Sequence, residues 1–282
     1  MTKIKFIALI LFTAFISSCS SDDSGDENQS AYFNFIYDNK VQNVKTWEAL
    51  KQEDFIEVLG TSEEGIVIDF KFNVYGNLYQ ALTNPAVITS DVPWLAASEN
   101  FTSNTFIFTL ENLDTNNKTV QVKYSGKVFE NEYDYESEYI NVSGSFKVSY
   151  TEITPEIQGL GTFAKIDGKD WHGLVMHSTV ENQQTKILYA ENDGKYTIGI
   201  TFPDYEPKVG NFAFSSNSFA NRISFQEYDV VTHEYIDYNV SGTVNYTTLN
   251  DYFVEGTFSL TATHPVTKSK IVISNGTFKE NL

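Results

Sequence analysis

The 282-residue sequence predicts an all-β protein made of two tandem antiparallel β-sandwich or flattened-barrel domains related by internal duplication. Three observations lead to this reading. From Ala31 onward apolar and polar residues alternate with period two, as in Gly65-Ile66-Val-Ile68-Asp-Phe70-Lys-Phe72 and Tyr196-Thr-Ile198-Gly-Ile200-Thr-Phe202. Helical periodicity is confined to Thr46 to Gln52, with Thr46 as its N-cap, so helices for parallel crossovers are missing and neighbouring strands should run antiparallel. Finally, four landmarks occur twice in the same order. A hydrophobic content of 41% with 15% aromatics is enough to build an ordinary core in each half.

The first element is not part of the body. Lys3 and Lys5 precede an apolar run from Phe6 to Ile16, followed by Ser17, Ser18 and Cys19. A basic start, a short apolar run and a small-residue boundary have the layout of a secretory signal, whereas a membrane span would need about 20 apolar residues. Ile16-Ser17-Ser18-Cys19 resembles the lipobox of bacterial lipoproteins. That resemblance implies a signal peptide over 1–18, cleavage between Ser18 and Cys19, and a lipid-modified Cys19 at the new N-terminus. An ordinary signal peptide that happens to contain a cysteine is the plainer alternative. Two or three acyl chains would give stable attachment, since each buried methylene contributes about 0.8 kcal/mol and one chain anchors only marginally. Cys19 is the only cysteine, which excludes intramolecular disulfides and multi-cysteine zinc sites.

Residues 19–30 read as a flexible acidic tether, because Ser20 to Ser30 contains no side chain able to offset the entropy of ordering. Its acidic start resembles the surface-export signal of Bacteroidetes lipoproteins, which implies an outer-membrane protein whose body faces outside. A solvated linker without routing information, with the body on the periplasmic face, is the alternative. The chain has 19 Lys+Arg against 37 Asp+Glu, a net charge of −18, and removal of Lys3 and Lys5 would make it −20. Such a body is a poor nucleic-acid partner and would stand off an anionic membrane surface.

The body divides into β domain 1 over 31–153, a linker over 154–159 and β domain 2 over 160–282. The duplicated landmarks define this division. Phe35-Ile-Tyr37-Asp38-Asn39-Lys40 matches Ala164-Lys-Ile166-Asp167-Gly168-Lys169, and the segment from Leu59 to Phe70 matches that from Tyr189 to Ile200. Ser125-Gly126 then matches Ser241-Gly242, and Val142-Ser-Gly144-Ser-Phe146 matches Val254-Glu-Gly256-Thr-Phe258. Glycines inside strands mark bulges or close backbone approaches, so these shape a sheet rather than bind a ligand. The second half, with Ile166-Asp167-Gly168-Lys169, Trp171, Gly256-Thr257-Phe258 and Ser274-Asn275-Gly276-Thr277-Phe278, resembles a domain family of uncharacterised Bacteroidetes lipoproteins. The resemblance implies a small extracytoplasmic β domain and no activity. The first half lacks the equivalent tryptophan and shows no closing Asn-Gly-Thr-Phe, so its last strand is expected to be missing or supplied by Gly161-Thr162-Phe163.

Few residues suggest chemistry. Gly-x-Ser-x-Gly and phosphate-loop motifs are absent, and His172 and His177 point to opposite faces of a continuous strand, a poor start for a zinc site. No catalytic, cofactor-binding or metal-ligating residue is assigned. Glu130, Glu132, Asp134, Glu136 and Glu138 alternate around Tyr133 and Tyr135 at a hairpin tip. Ca²⁺ is the cation such carboxylates would take, although a solvated hairpin interrupted by its turn is the simpler reading. Tyr133, Tyr135 and Trp94 are candidate ligand contacts, as faces on which a sugar could stack, with Trp94 alternatively an anchor in the core or between domains. Trp47 and Trp171 are expected in the core.

The resulting expectation is a non-enzymatic cell-envelope lipoprotein, held to the membrane by its N-terminal lipid, with a binding, adhesion or structural role toward a glycan or protein ligand. The alternatives are a carbohydrate-active enzyme or glycan-binding accessory protein, with paired carboxylates and aromatic platforms, and a carrier of a small hydrophobic ligand. The enzyme reading requires two carboxylates about 5 to 9.5 Å apart in one cleft.

Overall fold

The first half closes into a barrel because its first strand pairs on both sides. Strand β1 (Tyr32–Tyr37) turns into β2 (Lys40–Gln52) and lies against β9 (Tyr139–Ser149) on its other edge. The turn residues Asp38 and Asn39 have φ of 48° and 61°, as a two-residue type I′ turn requires. Between β2 and β9 the ring runs through β3 (Phe55–Ser62), β4 (Ile66–Asn73), β5 (Leu78–Pro85), the short β6 (Leu95–Ala96) and β8 (Thr119–Phe129). These make a closed eight-strand barrel, so of the two architectures expected the barrel is the one formed. Strand β7 (Phe106–Asp114) pairs with β8 outside the ring, and β10 (Thr151–Glu152) adds to β2. This β10–β2 pair is parallel and is the exception to antiparallel pairing among the described strands.

The computed structural model describes residues 31–85, 94–182 and 184–282, and the signal peptide, tether and Cys19 lie outside them. Aromatic rings fill the barrel interior. Phe70 has its ring centroid 4.5 Å from Tyr124, 5.8 Å from Phe146 and 6.0 Å from Phe108, and Phe33 is 4.9 Å from Phe146. Burying each such side chain contributes about 1.5–3 kcal/mol. Alternate positions carry Glu57 and Lys123 outward. An apolar interior with charged outward positions is the inverse of a membrane-spanning barrel. The rings occupy the space that a small hydrophobic ligand would need, which weighs against the carrier reading.

The second half is an open sheet curled into a half-barrel. It comprises β11 (Gly161–Ile166), β12 (Lys169–Glu181), β13 (Thr185–Glu191), β14 (Tyr196–Pro203), β15 (Gly210–Ser215), β16 (Arg222–Asp229), β17 (Glu234–Asp237), β18 (Asn239–Leu249), β19 (Phe253–Thr263) and β20 (Lys270–Asn281). Their spatial order is β15-β18-β19-β20-β11-β12-β13-β14-β16-β17. The Tyr246 hydroxyl donates to the Thr201 carbonyl at 2.6 Å, tying β18 to β14 across the curl.

The two halves repeat one another, but one strand out of the frame predicted from glycines. The β1–β2 turn recurs between β11 and β12, where Asp167 and Gly168 have φ of 47° and 81°. Neighbour order then equates β7-β8-β9-β1 with β18-β19-β20-β11. Gly144 faces Tyr124 and Phe35, while Gly276 faces Phe258, so Gly144-Ser-Phe146 answers Gly276-Thr-Phe278. The first half therefore has its closing strand, β9, and the expectation that it was missing is corrected. Both glycines are required by close approach: a Cβ on Gly144 would stand 2.3 Å from the Asn34 carbonyl oxygen, and one on Gly276 2.5 Å from the Phe258 ring. Several strands carry a glycine next to a facing aromatic, so the sequence match slipped by one strand.

Two further expectations change. Thr46 to Gln52 is strand, the second part of β2, with Trp47 opposite Gly60. Seven residues are too few to nucleate a stable helix, whereas β3 offers them a complete ladder. A bulge between Val44 and Thr46 shifts the register, and Trp47 is left 39% exposed rather than buried. Trp171 is buried as expected, packed over Gly173.

Candidate functional site at the seam between the sheets

The residues that bring chemistry together lie where the two sheets meet. The Tyr75 ring stacks on His172 with centroids 3.7 Å apart, and its hydroxyl donates to Asp54 at 3.0 Å. Asn77 donates to Asp193 at 2.9 Å, and the Ser103 N–H donates to the Asp193 carbonyl at 2.8 Å. Tyr235 donates to the Asn100 side chain at 2.9 Å, and Gly159 N–H donates to Glu53 at 2.6 Å. Burial raises the pKa of Asp193 despite the Asn77 bond. These contacts hold the two sheets in one body.

Glu99, from the segment after β6, and Glu191, at the end of β13, line one small cleft with Leu78, Tyr79, Thr102 and Met176. Burial raises the Glu191 pKa to about 7; a bond from Thr197 at 3.1 Å opposes the rise and the nearby Glu99 adds to it. Glu99 is also raised, first by burial, with the Tyr133 hydroxyl pulling it down and Glu132 pushing it up. His177 Nδ1 is 3.8 Å from Glu191, but burial lowers the histidine pKa, so the contact joins a neutral imidazole to a carboxyl near its midpoint. The Glu191 carboxyl is thus poised to take up or release a proton near neutral pH. Its cleft has a volume of about 20 Å³, space for one water, and the adjoining cavity beside Gln80, Ala97 and Glu132 about 80 Å³. The cleft between the two acids does not admit a sugar ring.

The candidate ligand contacts separate. Tyr133 is 60% exposed, with its hydroxyl on Glu99, and so presents a ring face to solvent. Tyr135 turns the other way: its hydroxyl donates to the Asn100 carbonyl, and its ring lies 6.0 Å from Tyr228 and 5.4 Å from His233. It is a seam contact rather than a platform. Trp94 is 46% exposed beside β6, which removes it from the core. The acidic tip is a turn held by Asp134 N–H to Asn131 and Ser137 N–H to Asp134. Among the described residues no group of three or more His, Cys, Asp or Glu side chains is placed to hold a metal ion.

Glu99, Glu191 and Asn100 went unremarked in the sequence. Glu99 and Glu191 come from different halves, carboxylates are abundant throughout, and no spacing links them.

Residues 153–280 match the family model described as a domain of unknown function (DUF6252). No curated protein and no solved structure matches the chain.

Proposed function

We propose that the protein is a non-enzymatic cell-envelope lipoprotein, anchored to the outer membrane through Cys19 with its body facing outside, and that the body binds a glycan or protein ligand or serves envelope structure. The observation that carries the reading is the place of the only cysteine, directly after Ile16-Ser17-Ser18 and before an acidic, Ser-rich stretch. The body supports it in two ways. Its two sheets are fastened to each other by stacked rings and hydrogen bonds, as suits a rigid binding or structural module. The cleft that Glu99 and Glu191 line together leaves room for water only. Among the described residues no helix is long and apolar enough to cross a membrane.

The test is Cys19→Ala in the native host. Loss of labelled fatty acid and release from the membrane fraction are expected, and full acylation of the variant would refute the anchor. Protease added to intact cells should remove the body, and complete protection would place it on the periplasmic side. A second reading, a carbohydrate-active enzyme, would rest on Glu99 and Glu191 and would require their cleft to open beyond its room for a single water. Turnover of an oligosaccharide that disappears in Glu191→Gln would establish that reading in place of the first.

A further inference from the structure

We propose that the outward face of β15, β18, β19 and β20 is a binding site for a neutral carbohydrate, which deepens the binding role proposed above and rests on it. The face holds a shallow cavity of about 510 Å³ lined by Asn211, Thr243, Asn245, Thr257, Ser259 and Asn275, with Phe258 and Gly276 between them, the Phe258 ring itself being buried in the core. That volume falls within the range of small-molecule sites.

Strand register arranges these side chains in rows. Asn211 pairs with Asn245, Asn245 with Thr257, and Thr257 with Thr277. In the next row outward, Ala213 pairs with Thr243 and Thr243 with Ser259. Neighbouring strands lie about 4.8 Å apart and alternate residues about 7 Å apart along a strand, so the face is a grid of hydroxyls and amides. Thr243 and Ser259 approach each other at 3.4 Å, while the amides of Asn211, Asn245 and Asn275 make no side-chain hydrogen bond among the described residues. Each amide therefore presents both a donor and an acceptor to a ligand.

Charge defines the ligand class. One residue in five of this chain is charged and its net charge is −18, yet none of the side chains lining the cavity is charged. Glu255, opposite Lys279, stands at the border of the face. An anionic ligand finds no cation in the cavity, and a cationic one finds no acid. An apolar ligand would leave the amides without partners, which costs free energy. A chain of uncharged hydroxyl groups can satisfy donors and acceptors together. No exposed aromatic ring lines the cavity, so affinity should be modest, with a Kd on the order of 0.1–1 mM.

The experiment is isothermal titration of the full chain, purified in a detergent without a sugar headgroup, against cellohexaose, xylohexaose, mannohexaose and maltohexaose, with oligogalacturonate as the charged comparison. Asn245→Ala with Thr257→Val changes one half-buried and one exposed side chain on the outward face and should leave thermal unfolding nearly unchanged while weakening binding at least tenfold. Val41→Ala, an exposed position on β2 in the other half, should leave binding unaltered. Absence of binding to all four neutral oligosaccharides up to roughly 10 mM, a preference for oligogalacturonate, or full affinity in the double variant would each overturn the inference. Acylation of Cys19 is read independently. A lipidated protein that fails this titration sinks the carbohydrate site alone, and an unlipidated one that passes it sinks the anchor alone.

Discussion

Replacing Glu280 with glutamine should alter how stability depends on pH more than stability at any one pH. Glu280 is 1% exposed and accepts hydrogen bonds from Thr162 Oγ1 at 2.7 Å and the Val175 N–H at 3.3 Å. Burial raises its pKa from 4.5 to about 8, with those two bonds pulling in the opposite direction. Between these values the unfolded carboxyl is ionised while the folded one keeps its proton. The folded state then binds one more proton, so this contribution is fully present below 4.5 and is lost as pH rises through about 8. The slope is about 1.4 kcal/mol per pH unit for one group. Over three units that gives about 4 kcal/mol, which water penetration and local relaxation reduce to about 2–4 kcal/mol. Glutamine does not titrate, so the variant loses this slope and keeps those of Glu191 and Asp69, both raised to about 7 mainly by burial. Urea unfolding of the full chain at about pH 5, 6.5 and 8 should show the variant gaining about 2–4 kcal/mol on the wild type as pH rises. Parallel pH curves for the two proteins would show that Glu280 is ionised in the folded state and would refute the reasoning.

Three other substitutions follow from the same geometry. Gly144→Ala places a Cβ 2.3 Å from the Asn34 carbonyl, against backbone that cannot move without opening the β1–β9 ladder, and should cost about 3 kcal/mol in urea unfolding. Gly168→Ala meets nothing within 4 Å and carries only the strain of φ at 81°, so its cost should be about 1 kcal/mol; a larger loss than at Gly144 would contradict the close-approach argument. Tyr133→Phe removes the hydroxyl that lowers the Glu99 pKa, so Glu99 should titrate higher in carboxyl-carbon NMR. An unchanged or lower midpoint would mean that the tyrosine does not serve that carboxylate.

What could be read in the sequence was whatever depends on neighbours along the chain. Period two located the strands, and Asp38-Asn39 and Asp167-Gly168 named their turns, because alternation and positive φ are local demands. The helical pattern from Thr46 to Gln52 misled because its own propensity is weaker than the ladder with β3, a partner that local pattern does not reveal. Barrel closure depends on β1 accepting a second partner more than a hundred residues away. The Glu99–Glu191 cleft depends on a seam between halves, and many other carboxylate pairs would have fitted the sequence equally well. The uncharged face lies between these cases. Ser241-Gly-Thr243-Val-Asn245 and Thr257-Phe-Ser259 alternate like any half-buried strand, and each alone is unremarkable. Only the register sets Asn211, Asn245 and Thr257 side by side. The absence of charge from the cavity bordered by Glu255 and Lys279 then becomes one property of a surface patch. The core requires only that the inward positions be apolar, and outward positions of a protein this acidic could carry carboxylates without disturbing it. Folding alone therefore does not account for the uncharged patch, and the carbohydrate site proposed above would account for it.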